Sequence, residues 1–128
     1  MLELDDRSKK LCGTLLADLK TVSQGNTSIK FFRKDLTRML IWLYVLDSFA
    51  QKKPINIEDI ARGIASSTRI SKPSLRLILE NAKQKGFFKF THSLSDTRSW
   101  IIEPEEISIQ EFNDWTKHIK TPNDYFPK

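Results

Sequence analysis

The sequence predicts one mostly helical α+β domain, and three observations carry that expectation. Apolar residues recur at helical spacing through most of the chain, and after Gly86 the period shortens to two. The composition is that of an ordinary globular protein, with 39% apolar and 29% charged residues. Breakers are few, so connections are expected to be short and residues 1–128 to form a single domain.

A first helix is expected over about residues 5–23, with Leu11, Leu15, Leu16 and Leu19 as its apolar stripe and Gly25 and Asn26 ending it. A second follows over about residues 29–52. Its centre, MLIWLYVL, is apolar on every side and so needs neighbours on every side, one of which a partner subunit can supply. Residues 5–52 are therefore assigned to packing and dimerisation. The next start is signalled twice: Asn56 and Asp59 have the spacing of a capping box, and Ile55 and Ile60 that of a hydrophobic staple. A short helix should begin near Ile57 with Ile60, Ala61 and Ile64 turned inward.

Residues 66–71 read as a polar turn. Pro73 sits where a helix start tolerates it, and the helix it opens carries Leu75, Ile78, Leu79 and Ala82 on one face until Gly86 stops it near Lys85. Phe88, Phe90 and His92 then alternate with Lys89 and Thr91, and residues 100–102 form a second strand-like run beyond the loop SLSDTRS, a hairpin that Pro104 closes. A last helix over residues 105–120 is expected to open on a Ser108/Glu111 capping box with an Ile107/Phe112 staple, burying Phe112, Trp115 and Ile119.

Two short helices joined by a tight polar turn and followed at once by a β-hairpin make a winged helix-turn-helix over residues 55–104, preceded by two helices and followed by one. The second helix of such a unit fits the major groove of DNA. With its apolar face inward, Pro73, Arg76, Leu77 and Glu80 point out. Arg76 is the expected base reader, because a guanidinium pairs bidentately with guanine, and Leu77 can meet a thymine methyl. Ser71, Lys72 and Ser74 at the helix start, with Arg69 in the turn, are placed to hold phosphates. Glu80 opposes this field unless it pairs with Arg76 or accepts from cytosine.

Charge distribution agrees. The formal net charge is +5, and residues 67–98 carry seven basic side chains against two acids, while residues 99–128 carry three lysines against six acids. Other function classes lack their parts. Cys12 is the single cysteine and His92 and His118 the two histidines, so no disulfide, metal site or nucleophile–histidine–acid set assembles. The glycines are isolated, leaving no phosphate loop, and no cofactor, metal or catalytic residue is expected. The longest apolar run, residues 39–46, falls far short of the roughly 20 residues that cross a bilayer, and the acidic start MLELDD lacks the form of a secretory signal. A cytoplasmic protein with no membrane partner is expected. Cys12, amid leucines, is expected to be an inert buried residue rather than a redox sensor. The hairpin aromatics are expected to be core rather than a base-stacking platform, and residues 39–46 core or dimer interface rather than a ligand pocket.

On these elements, on the wing sequence Ser95-Asp96-Thr97-Arg98 and on the junction NAKQKGFF, residues 30–112 resemble the MarR family of bacterial regulators. The resemblance implies a homodimer on a pseudo-palindromic double-stranded DNA site, with Arg98 in the minor groove and Asp96 holding it. It also implies subunits interlocked through terminal helices, for which Leu11, Leu15, Leu19, Phe112, Trp115 and Ile119 are the candidates. A small aromatic effector between the dimer helix and the DNA-binding lobe is implied too. The run from Arg98 to the Ile107-Ser108 pair is longer than in the family. The expected function is a sequence-specific transcription regulator. The alternative is a winged helix serving as a protein-interaction or replication and transcription accessory module without its own operator.

Overall fold

A computed structural model of the chain describes residues 2–20, 27–92 and 99–118, apart from the side chains of Asp18, Leu19 and His118. Its elements run α1 (Asp6–Lys20), α2 (Ser28–Phe32), α3 (Leu36–Ala50), α4 (Ile57–Ile64), α5 (Lys72–Gln84), β1 (Phe88–His92), β2 (Trp100–Pro104) and α6 (Glu106–His118). The fold is the winged helix-turn-helix read from the sequence, with extra helices on both sides. α1 opens where Asp5 accepts a hydrogen bond from Ser8 N at 2.7 Å, and that bond holds the Asp5 carboxyl below its usual pKa. The stop expected at Gly25 and Asn26 lies outside the described residues.

The single helix expected over residues 29–52 is two. Thr27 caps α2 by accepting from Lys30 N at 3.2 Å, and the chain then resets: Asp35, in extended geometry, accepts from Arg38 N at 2.8 Å and starts α3 afresh. Asp35 is itself a favoured N-cap residue, a signal hidden by the apolar period on either side. Nor is the centre of α3 buried all round. Ile41, Trp42 and Val45 face the core, whereas Leu36, Leu43 and Phe49 are exposed.

The core gathers Phe32, Ile41, Trp42, Ile55, Ile60, Leu75, Leu79, Phe87, Phe88 and Ile102 between α2, α3, α4, α5 and the hairpin. Its aromatic heart is Phe32 stacked on Trp42 at 5.3 Å, with Phe112 edge-on to Trp42 at 5.2 Å. α4 starts on the complete capping box of Asn56 and Asp59. α5 ends on Gly86, whose φ of +81° suits glycine, with Gly86 N donating to Lys83 O and Phe87 N to Ala82 O. β1 and β2 pair antiparallel, Phe90 opposite Ile102 and His92 opposite Trp100, and Ile102 N donates to Ile55 O at 2.9 Å, so the approach to α4 lies along the hairpin edge.

α6 begins at Glu106, close to the expected start but ahead of the expected cap, and Ser108 and Glu111 do not form a capping box. Ser108 is buried in the first turn and donates from Oγ to Phe87 O at 2.8 Å. Glu111 reaches across the molecule, where one carboxylate oxygen accepts from Ser28 N at 2.6 Å and Ser28 Oγ at 2.5 Å. Pro104 closes β2, and Glu105 and Glu106 then suit a helix start because acids there complement the helix dipole. Cys12 is also not as expected: it is exposed, because α1 turns much of its surface to solvent.

Candidate nucleic-acid interface

α5 is anchored through Leu75, Ile78, Leu79 and Ala82, all buried, and this leaves Pro73, Arg76, Leu77 and Glu80 outward and exposed. Leu77 is 59% exposed, so an apolar side chain lies open beside Arg76. Arg76 and Glu80 make no ion pair with each other, and among the described residues Arg69, Arg76 and Glu80 have none at all. Both arginines therefore project uncommitted guanidinium groups.

The start of α5 is more occupied than its sequence suggests. Ser71 caps the helix, accepting from Ser74 N at 3.2 Å and donating to Ser74 Oγ at 2.9 Å. Lys72 is tied to Glu58 of α4, Nζ to Oε1 at 2.6 Å. Both partners are about half exposed, and such a pair is worth at most about 1 kcal/mol, so a phosphate can draw Lys72 away. The turn before α5 is fixed from behind by Thr37 and Thr68, whose hydroxyls lie 2.9 Å apart.

The hairpin adds side chains to this surface that the sequence had not assigned. Lys83 Nζ lies 5.1 Å from the Phe90 ring and 5.8 Å from Trp100, and Trp100, 46% exposed, stacks on His92 at 3.7 Å. A cleft of about 620 Å³ runs between α5 and the hairpin, lined among others by Arg76, Glu80, Lys83, Phe90 and Trp100. Lys83 sits two turns from Arg76 on the same face of α5. Trp100, expected to be core, is instead half open. Asp96 and Arg98 lie outside the described residues.

The residues expected to join two subunits separate. Leu15 is exposed and Leu11 half-buried on α1, while Phe112 and Trp115 pack onto Trp42 inside the chain. The Leu19 side chain and Ile119 lie outside the described residues. Among the described residues no group of His, Cys, Asp and Glu could hold a metal ion, and no helix is long and apolar enough to cross a membrane.

No protein-family model and no curated protein matches the sequence. Solved structures do match in three dimensions. A complex of Staphylococcus aureus MepR with DNA superposes with a TM-score of 0.61 at 14% identity, covering 91% of this chain and 87% of that one. A MarR-like transcriptional regulator from Thermotoga maritima gives 0.60 at 14% identity, covering 96% and 81%. AbfR of Staphylococcus epidermidis gives 0.53 at 17% identity, covering 94% and 78%. At such identities the likeness is one of fold, and it extends through the helices flanking the wing as well as the wing itself. The chain thus has the winged helix-turn-helix fold seen in MarR-like transcriptional regulators.

Proposed function

We propose that this protein is a sequence-specific double-stranded DNA-binding transcription regulator that acts as a homodimer, α5 lying in the major groove and the hairpin tip in the minor groove. The observation that carries the reading is the outer face of α5, where Arg76 stands unpaired beside an exposed Leu77. A guanidinium and a lone apolar side chain on one face suit a guanine edge and a thymine methyl. Arg69, Ser71, Lys72 and Ser74 surround that face as phosphate contacts, and the MarR resemblance assigns the minor-groove contact to Arg98 with Asp96 as its support. That the fold is shared with MepR, whose structure is a DNA complex, supports the reading.

The exposed leucines of α1, with Leu36 and Leu43 of α3, supply apolar surface for a second copy. A two-fold dimer would place its half-sites about one helical turn apart. The small aromatic effector implied by the MarR resemblance belongs to the same proposal. Apolar room for one exists between Phe49, Pro54 and Ile101, in a cleft of about 810 Å³.

A protein-facing winged helix is the second reading, favoured by Glu58 and Glu80, which set carboxylates beside the surface a phosphate must approach. Binding of the protein to random duplexes across a salt series, with sequencing of those retained, decides between them. A regulator enriches a pseudo-palindrome, and its affinity falls by about one logarithmic unit per tenfold salt for each phosphate neutralised. Retention without a motif, or none at physiological salt, overturns the regulator.

A further inference from the structure

On the flank of α5, at the end opposite the reading face, the corner between α2 and α3 forms a second cleft, of about 440 Å³. It is lined by Thr27, Lys30, Phe31, Lys34, Arg38, Asn81, Lys85 and Phe87. Four of these eight side chains are cationic and none is acidic. Arg38 is neutralised by Asp35 and fixed with its guanidinium 5.6 Å from the Phe31 ring, but Lys30, Lys34 and Lys85 pair with no carboxylate among the described residues. Three uncompensated ammonium groups around one hollow repel one another. Over a floor of Phe31 and Phe87 the apolar wall focuses their field rather than dissipating it.

We infer that this cleft is a binding site for a compact, multiply charged anion of the polyphosphate class. Ammonium groups on flexible stems close on phosphate oxygens with charge-assisted bonds. Thr27 and Asn81 add hydroxyl and amide groups to the rim. The site has a consequence that rests on the DNA reading above. Asn81 belongs to α5, Lys85 caps it, and Phe87 joins it to the wing, so a bound polyanion adds negative charge to the helix that meets DNA. Anion and DNA therefore oppose each other, and by linkage each weakens the other by the same factor.

The test is isothermal titration of the full chain with inorganic pyrophosphate, against sulfate at equal ionic strength. Saturable binding of pyrophosphate, weakened about tenfold or more in Lys34→Ala and further in Lys34→Ala/Lys85→Ala but unchanged in Lys53→Ala, is the expected result. Heat no different from sulfate, or affinity indifferent to Lys34 and Lys85, overturns the site. Both lysines are exposed, so circular dichroism of the variants should match that of the parent. Repeating the duplex titration with pyrophosphate present tests the coupling. Weaker DNA binding in the parent but not in the double variant supports it, and unchanged DNA binding overturns it. No DNA binding by any form, with pyrophosphate still bound, fails the regulator reading and leaves the anion site standing. Loss of DNA affinity in the double variant without pyrophosphate binding assigns these lysines to the DNA backbone and overturns the site.

Discussion

The helix-turn-helix unit and the α2–α6 corner are built by different kinds of interaction. From α4 to the start of β1, most boundaries are fixed by residues a few positions away: Asn56 with Asp59, Ser71 with Ser74, Gly86 with Lys83. In the corner, the buried start of α2 is held by Glu111, 83 residues on, and α6 is pinned by a hydroxyl bonded to a carbonyl 21 residues back. The first region carries the proposed reading surface on a locally specified scaffold, and the second holds that scaffold to the rest of the chain.

Breaking the corner should have the largest effect. Glu111→Ala strips the acceptor from Ser28 N and Oγ and leaves both donors in a buried place. Each buried donor left unsatisfied costs about 1–3 kcal/mol, so a loss of about 3 kcal/mol in urea unfolding is expected. A loss below about 1 kcal/mol would mean that water replaces the carboxylate and that the corner is as locally built as the rest.

Within the helix-turn-helix unit one tertiary demand interrupts the local rule. A Cβ on Gly63 would stand 2.2 Å from Tyr44 Cε2, so α4 approaches α3 at a residue without a side chain. Gly63→Ala should cost about 2 kcal/mol by overpacking, despite alanine's better helix propensity. In a Tyr44→Ala background the same substitution should be neutral or stabilising. An equal cost in both backgrounds would show that the ring is not the obstacle.

The reading surface itself should be separable from stability. Arg76→Ala removes a side chain that makes no ion pair, so unfolding should be unchanged while specific DNA binding weakens by about 1–3 kcal/mol and preference relaxes at one base position. An equal loss on every sequence would make Arg76 a phosphate clamp.

The same contrast explains what could be read in advance. α4, α5 and the hairpin were legible because caps, a staple and a glycine stop coincide with a change of apolar period, and the outward set Arg76, Leu77 and Glu80 followed from the inward set by geometry alone. The break at Asp35 was hidden inside a continuous apolar pattern. The roles of Ser108 and Glu111 could not be read because serine three residues before glutamate looks like a cap at any distance from its real partners. Lys72 was legible as a cation and its tie to Glu58 was not, since that pair depends on how α4 meets α5. The alternation of Phe88 and Phe90 suggests that the hairpin aromatics are core, yet Trp100 stands opposite His92 at the outer end of the hairpin, where less of the core reaches it.

Two helix ends sharpen the comparison at the smallest scale. α3 and α5 stop on the same motif, with Lys53 N bonded to Ser48 O and Lys52 N to Phe49 O at one end, and the corresponding pair around Gly86 at the other. The left-handed position is glycine in α5 but Lys52 in α3, with φ of +57°. A side chain there costs about 1–2 kcal/mol, which is why no stop signal ends α3 in the sequence although the stop exists. Lys52→Gly should therefore raise stability by about 1 kcal/mol, less than the strain because glycine also loosens the unfolded chain. Gly86→Ala should lower stability by a similar amount, since open space around its Cβ leaves backbone strain as the sole penalty. If Lys52→Gly instead destabilises, the lysine stem along the cleft beside Phe49 and Pro54 outweighs the strain, and a residue that reads as a poor helix stop is retained for what it packs against.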